Sequence, residues 1–361
     1  MSEAKFPQPK AFPRLHSRRL WRLLQWLGTA LGFAYLIFVV DLRPALESAG
    51  RIPLSHIALA VGMVTLNLTI GTLRWRVLFF AIGLSSAPPF GRLLHLYFVG
   101  FFYNSFLPGG VGGDLVRGLA TRKHFSSVEV ATSGGVATSH NAPTSNGTLT
   151  RGGTFASITT VFLERLSGLS GLLILVAAAL LSLSGDVASS IQVERVHISM
   201  ISIAGIFVGI AGAALPLLLG RVRTWVPGRF QAALQQISSV QRPIWVGLAL
   251  LLSLAVQVGV ALTGYVILIG IAPQTTLAAA VVILPIAAAS SFLPFTVGGA
   301  GAREAAFVEL CRLVLDMPRS DALAASLVIW GVQLLVASSG GVMQVYRPLQ
   351  TESRSSSGGS R

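Results

Sequence analysis

One pattern occurs twice in this chain, and it limits the fold more than any other feature. Residues 105–117 read SFLPGGVGGDLVR, and residues 291–303 read SFLPFTVGGAGAR. The two copies share Ser, Phe, Leu, Pro, Val, a Gly pair and a final Arg, and each lies in a strongly apolar stretch. Pro lacks a backbone donor and Gly loses the most chain entropy on ordering, so each copy interrupts a helix. Interrupted backbone at membrane depth is tolerated only where protein or a water-filled cavity surrounds it. Matching interruptions in the two halves of a chain point to the binding site of a transporter.

The membrane setting follows from composition. Of 361 residues, 53% are hydrophobic and 11% charged, where a soluble domain carries about 25% charged residues. Mean hydropathy is +0.71. The fold class expected is all-α, a polytopic helical membrane protein. The single Cys311 excludes an internal disulfide framework. A net charge of +14 raises nucleic acid as a partner. The excess lies in short loops beside apolar segments, however, where basic residues set topology and meet anionic headgroups. No nucleic-acid recognition module is visible.

Apolar runs long enough to cross a bilayer fall near 23–40, 54–73, 157–183, 198–219, 244–269 and 322–346. The first follows a basic segment, 1–22. A cleaved signal peptide competes with an uncleaved first helix there; the long basic region and the absence of a prompt small-x-small site favour the helix. Stretches 93–116 and 277–311 carry the duplicated pattern and either cross or turn back. If both turn back, most of the 27 Lys and Arg fall on the cytoplasmic side, and Arg43, Arg51, Arg195, Arg312 and Arg319 remain outside. If both cross, Arg221, Arg223, Arg229 and Arg242 move outside, against the positive-inside rule. Trp21, Trp26, Trp75, Trp225 and Trp245 fall near the expected cytoplasmic edges. The expectation is therefore six full spans plus two re-entrant broken-helix hairpins, arranged as an inverted 4+4 repeat. The repeats occupy 23–183 and 198–346. Both termini are expected in the cytoplasm. Segment 126–154 is rich in Ser, Thr, Gly and Asn and reads as a flexible insertion, and 347–361 as a disordered tail.

Charged residues left in or beside apolar segments are Asp114, Arg117, Glu164, Arg165, Arg303, Glu304 and Glu309. Each costs roughly 2.5–3.5 kcal/mol at bilayer depth, which makes it a functional candidate. A purely structural alternative exists. Asp114 and Arg117, three apart, could pair on one helix face, and Glu164–Arg165 could snorkel at the cytoplasmic edge. The functional reading starts from the backbone. A helix beginning after each Val-Gly-Gly presents unpaired N–H groups and a positive dipole end to an anion. The contacts expected are Gly110, Gly112 and Gly113 in one copy and Gly298, Gly299 and Gly301 in the other, with Pro108 and Pro294 as hinges. Arg117 and Arg303 each add a planar fork suited to phosphate. The anion expected is a lipid headgroup or lipid-linked sugar. His95, Tyr97, Tyr103 and Asn104 lie on the arm entering the first hairpin, in position to line its cavity. Asn67, Gln257 and Gln333 sit mid-span, where interhelical hydrogen bonding is expected. No HExxH, Walker A, GxSxG or zinc CxxC pattern occurs, so neither metal nor cofactor is expected.

At these residues the sequence resembles the lysylphosphatidylglycerol synthase transmembrane region, also called the flippase-like domain family. The resemblance rests on Asn104-Ser-Phe-Leu-Pro-Gly-Gly-x-Gly-Gly-Asp114-x-x-Arg117, Leu73-Arg74-Trp75-Arg76, Leu-Glu164-Arg165-Leu and Gly298-Gly-x-Gly-x-Arg303-Glu304, over roughly residues 20–345. It implies a bacterial or archaeal inner-membrane protein that moves a charged or glycosylated lipid between leaflets. In full-length synthases a soluble aminoacyl-transferase domain follows; this chain stops soon after its last span, so lysyl transfer is not expected of it. Two other readings stay open: a membrane-embedded transferase on lipid-phosphate sugars using Asp114, Glu164 or Glu304 as base, and a scaffold for a lipid-modifying synthase. The partners compatible with these are a lipid headgroup, a lipid-modifying enzyme or a second copy of the chain.

Overall fold

The structure, a computed structural model, describes residues 41–84, 86–106, 112–132, 146–183, 195–222, 242–290 and 301–348, with a few isolated positions before 41. Its elements are helices: α1 (Leu42–Gly50), α2 (Leu54–Ala81), α3 (Phe90–Phe106), α4 (Gly112–Thr132), α5 (Asn146–Leu183), α6 (Arg195–Val222), α7 (Pro243–Ile269), α8 (Leu277–Ser290), α9 (Ala302–Leu315) and α10 (Arg319–Tyr346). Strands are absent among the described residues. Helices satisfy their own backbone groups, the condition for a segment surrounded by hydrocarbon. Leu54–Ala81, Ser157–Leu181, Pro243–Ile269 and Arg319–Tyr346 are long and apolar enough to cross a membrane. Leu54, Ile203, Phe207 and Ile244 are among many large apolar side chains more than 60% exposed. Apolar exposure on this scale suits a lipid-facing surface and not a soluble monomer.

Proline marks several helix starts, because its missing N–H is one the first turn leaves unused anyway. Pro53 and Pro318 precede α2 and α10, and Pro243 opens α7. Packing then places the helices. α2 lies along α7, α5 along α6 and α4, α3 against α10, and α8 against α9, α7 and α5. The α3–α10 approach depends on Gly340, where an added Cβ would overlap the Phe98 carbonyl. The largest core cluster joins α1, α2, α3, α7, α8 and α9 to α10 through residues such as Leu68, Phe98, Ile267, Ile283, Phe307 and Leu323. A second one, Trp75, Phe79, Leu93, Leu96 and Val161, joins α2, α3 and α5. Outside the apolar belt, α1 is held on α10 by Ser48 Oγ donating to Asp321 Oδ1 at 2.6 Å.

Three sequence expectations change. The run read as ending at 73 continues as helix to Ala81, with Arg74 and Trp75 buried inside it. Trp75 is therefore a core residue, not an interfacial one. Its ring packs on Phe79, and its indole N–H faces Thr160 Oγ1 at 3.5 Å. The segment read as a flexible insertion at 126–154 is helical at both ends, since α4 runs to Thr132 and α5 starts at Asn146. An established helix propagates through weak formers far more easily than a new one nucleates. The segments 1–22 and 349–361, most of the run 23–40, and Pro108, Gly110, Pro294, Gly298 and Gly299 lie outside the described residues.

Candidate functional site

Four of the charged residues expected at the site meet in one buried network. Arg117 comes from the first turns of α4, and Glu164 and Arg165 from the middle of α5. Arg117 Nη2 bonds Asp114 Oδ1 at 2.5 Å, and its Nη1 bonds Glu164 Oε2 at 2.8 Å. Arg165 grips the other Asp114 oxygen through Nη2 at 2.5 Å and Nε at 2.8 Å. Two more groups join from α2 and α3. Arg74 Nη2 and the Tyr97 hydroxyl both donate to Glu164 Oε1, at 2.9 and 2.7 Å. Arg74 Nη1 also reaches Ser253 Oγ on α7 at 3.3 Å. The Arg117 guanidinium lies over the Tyr97 ring at 4.6 Å and the Trp75 ring at 5.1 Å, a cation–π arrangement that strengthens with desolvation.

Burial separates this network from ordinary ion pairs. Glu164 is 2% exposed, Arg117 5%, Arg74 7% and Asp114 9%. Glu164 is thus deep in the fold, and the alternative of snorkelling at an edge does not hold for it. The Arg165 side chain alone opens outward, at 41% exposure. The local pairing of Asp114 with Arg117 does form, but as one edge of a larger set. Three guanidinium groups and two carboxylates thus meet in one network.

The second copy is built differently. Arg303 bonds its neighbour Glu304 through Nε at 3.0 Å and Nη2 at 2.5 Å, and Nη1 reaches Gln333 Oε1 on α10 at 3.2 Å. Glu304 also accepts from the Gly301 amide at 2.7 Å. Gly301 has φ 82°, a backbone state that Gly alone adopts cheaply. In the first copy the Gly113 amide donates to Asn104 Oδ1 at 2.8 Å. An added Cβ at Gly113 would overlap the Gly100 carbonyl of α3. These two helix-start amides, expected to wait for an anion, are therefore capped by the chain's own oxygens. Buried donors seldom stay unpaired, and a side chain within reach takes them. Glu309 lies elsewhere, paired with Arg312 and Arg319 at 2.8 and 2.9 Å in a partly exposed triad.

Arg303 lines an internal cavity of about 180 Å³ with Asn67, Tyr97, Thr263, Ser326 and Gln333, between walls that include Val260, Leu284 and Phe307. Asn67 and Gln333 lie at the midpoints of α2 and α10. Arg74 follows Asn67 by two turns, roughly 10 Å along the helix axis at about 1.5 Å per residue. The network and the cavity are thus neighbours at different depths, joined by Tyr97, whose ring lines one and whose hydroxyl belongs to the other. Of the two Arg expected to share a pocket, Arg303 lines this cavity, and Arg117 adjoins it only through Tyr97. Gln257 behaves as expected mid-span, its Nε2 donating to Gly168 O at 3.1 Å. No cluster of three or more metal-ligating His, Cys, Asp or Glu occurs among the described residues.

Sequence reasoning missed Arg74 as a member of the site, because an Arg closing an apolar run looks like a loop charge. The Leu-Arg-Trp-Arg stretch at 73–76 was the available signal. Comparison with known proteins gives one further finding. The model of the family described as Lysylphosphatidylglycerol synthase TM region matches residues 25–341. No curated protein matches the chain significantly.

Proposed function

The chain belongs to the lysylphosphatidylglycerol synthase TM-region family, and from that premise we propose that it moves an anionic phospholipid or lipid-linked glycan between the leaflets of the inner membrane. The observation that carries this reading is the mid-span cavity that holds Arg303, set beside the buried Arg74–Asp114–Arg117–Glu164–Arg165 network. A guanidinium with N–H groups to spare beside a cavity in low dielectric attracts an anion. Arg165, outward-facing at one edge, is the point where a headgroup first meets the network.

Six spans and an inverted repeat belong to the same proposal. Reciprocal packing supports them. In the first half α3, the arm before the interruption, packs on α10, the final span of the second half; α8, its counterpart, packs on α5, the final span of the first. The corresponding helices α2 and α7 pack on each other. A pseudo-twofold axis between two halves would produce such reciprocal contacts. With both termini in the cytoplasm, the Ala81 end of α2 and the ion network face the cytoplasmic side, and the cavity lies at mid-depth.

The test is leaflet exchange in proteoliposomes with acyl-labelled phosphatidylglycerol and an impermeant quencher. Wild-type protein is expected to speed exchange well above empty vesicles, and Arg303→Ala to abolish the gain while the protein elutes as a folded species. Exchange no faster than in empty vesicles overturns the transport reading. Unchanged exchange in Arg303→Ala removes Arg303 from the path.

A further inference from the structure

The cavity presents donors on three separate helices. Arg303 on α9 makes bonds with three of its guanidinium nitrogens' hydrogens, to Glu304 and Gln333; of its five N–H groups, two have no acceptor among the described residues. Gln333 on α10 spends its Oε1 on Arg303, which fixes the amide so that its NH2 end is turned away from the guanidinium. Its Nε2 has no acceptor among the described residues. Asn67 on α2 buries Oδ1 without a partner, against Gly259 of α7, where even an added Cβ would press on that oxygen at 2.5 Å. The Asn67 carboxamide as a whole lies beside Gly259, with Nδ2 at 3.3 Å from the same point, and it borders the cavity, where its N–H2 end can donate to a ligand. The other charged group of the pair, Glu304, is turned to the Gly301 amide and is not among the cavity walls.

We propose that Asn67, Gln333 and Arg303 form a phosphate seat, an acceptor-only ligand held by two carboxamide N–H2 groups and one guanidinium at the middle of the bilayer. Asn67 and Gln333 are then ligands and not merely interhelical contacts. The argument is one of complementarity. Three convergent donors suit a group that offers only acceptors, and phosphate is such a group. An ammonium would face Arg303 with like charge. The remaining walls are mainly apolar, which strengthens each charge-assisted bond. The cavity, about 180 Å³, has room for a phosphate group. Gln333 has a double part, since its carbonyl orients the guanidinium whose fork meets the ligand. The inference builds on the lipid-handling reading and names the chemical group that reading needs.

The experiment is binding to the purified full-length protein in detergent, read by calorimetry and by thermal shift. The probes are dihexanoyl phosphatidylglycerol, inorganic phosphate and the uncharged dihexanoylglycerol. Wild type is expected to bind the phospholipid and to ignore the diglyceride. Asn67→Leu and Gln333→Leu are each expected to weaken phospholipid binding about ten-fold or more, the worth of one hydrogen bond to a charged group. Gln333→Glu keeps the shape and the acceptor for Arg303 but places a carboxylate at the seat; it is expected to abolish binding in a protein with wild-type melting. Inorganic phosphate binding as tightly as the phospholipid supports the seat and assigns it to a soluble phosphate; phospholipid preference supports it and assigns it to a headgroup. Wild-type affinity in the Leu variants and in Gln333→Glu overturns the seat. Because binding is read without transport, a protein that binds these probes and exchanges no lipid loses the transport reading alone. One that exchanges lipid while the variants bind normally loses the seat alone.

Discussion

Replacing Glu164 by Gln removes the negative charge that faces both Arg74 and Arg117. Removing one partner of a buried pair leaves an uncompensated charge and costs about 3–5 kcal/mol, far more than the pair's net worth. Glu164→Gln is therefore expected to lower thermal stability in detergent sharply, by an amount of that order. Glu309→Gln serves as the contrast. Its Arg partners are about 40% exposed, and such pairs contribute about 0–1 kcal/mol. Equal melting of Glu164→Gln and wild type would show that the network does not carry buried charge. Asn104 gives a subtler case, since its side chain caps the Gly113 amide and its Nδ2 approaches Asp114 at 3.3 Å. Its loss is expected to cost about 1 kcal/mol, typical of a cap. Asn104 and Asp114 both belong to the resemblance motif, ten residues apart. The motif named these residues, but the acceptor Asn104 offers to the backbone became visible only when α3 and α4 were placed together.

Helices in this protein approach closely where side chains are smallest. Gly340 on α10 lies against the Phe98 carbonyl of α3, and Gly331 on the same helix has no atom within 4 Å of where a Cβ would sit. The two positions separate propensity from packing. Gly340→Ala is expected to destabilise by about 1–3 kcal/mol, because the backbone cannot yield as a side chain could. Gly331→Ala is expected to be neutral or to stabilise by up to about 1 kcal/mol through helix propensity. Thermal unfolding of both checks the pair, and a stable Gly340→Ala would refute the close α3–α10 contact. At this scale the sequence was legible where apolar runs were long, as in α5, α7 and α10. It misled at Arg74 and at 126–154. Hydropathy counts an Arg as a loop residue whether or not another helix supplies its carboxylate. Ser and Thr likewise read as loop, although a neighbouring helix can carry them along.

For the molecule as a whole, orientation is the open consequence of charge placement. Arg51 and Arg242 are predicted to lie on opposite sides, with Arg242 in the cytoplasm. A membrane-impermeant maleimide added to intact cells is expected to label Arg51→Cys and not Arg242→Cys. The native thiol offers little background, because Cys311 is fully buried. Labelling of Arg242→Cys from outside would reverse the orientation, and with it the side on which the ion network faces water.

Sequence alone determined the solvent, the helical class and the family, because hydropathy, helix interruption and short motifs are sums over neighbours along the chain. It also named the buried charges, since an Asp or Arg inside an apolar run is conspicuous without any structure. Tertiary structure decided which charges meet. Arg74 and Glu164 are held by helices far apart in the chain, and no local rule specifies that approach. Tertiary structure also capped the Gly113 and Gly301 amides, drew Arg303 to Glu304 and Gln333, and left a cavity beside the midpoints of α2 and α10. Each of these depends on the distance between groups on different helices or turns, and electrostatic and hydrogen-bond energies depend steeply on that distance.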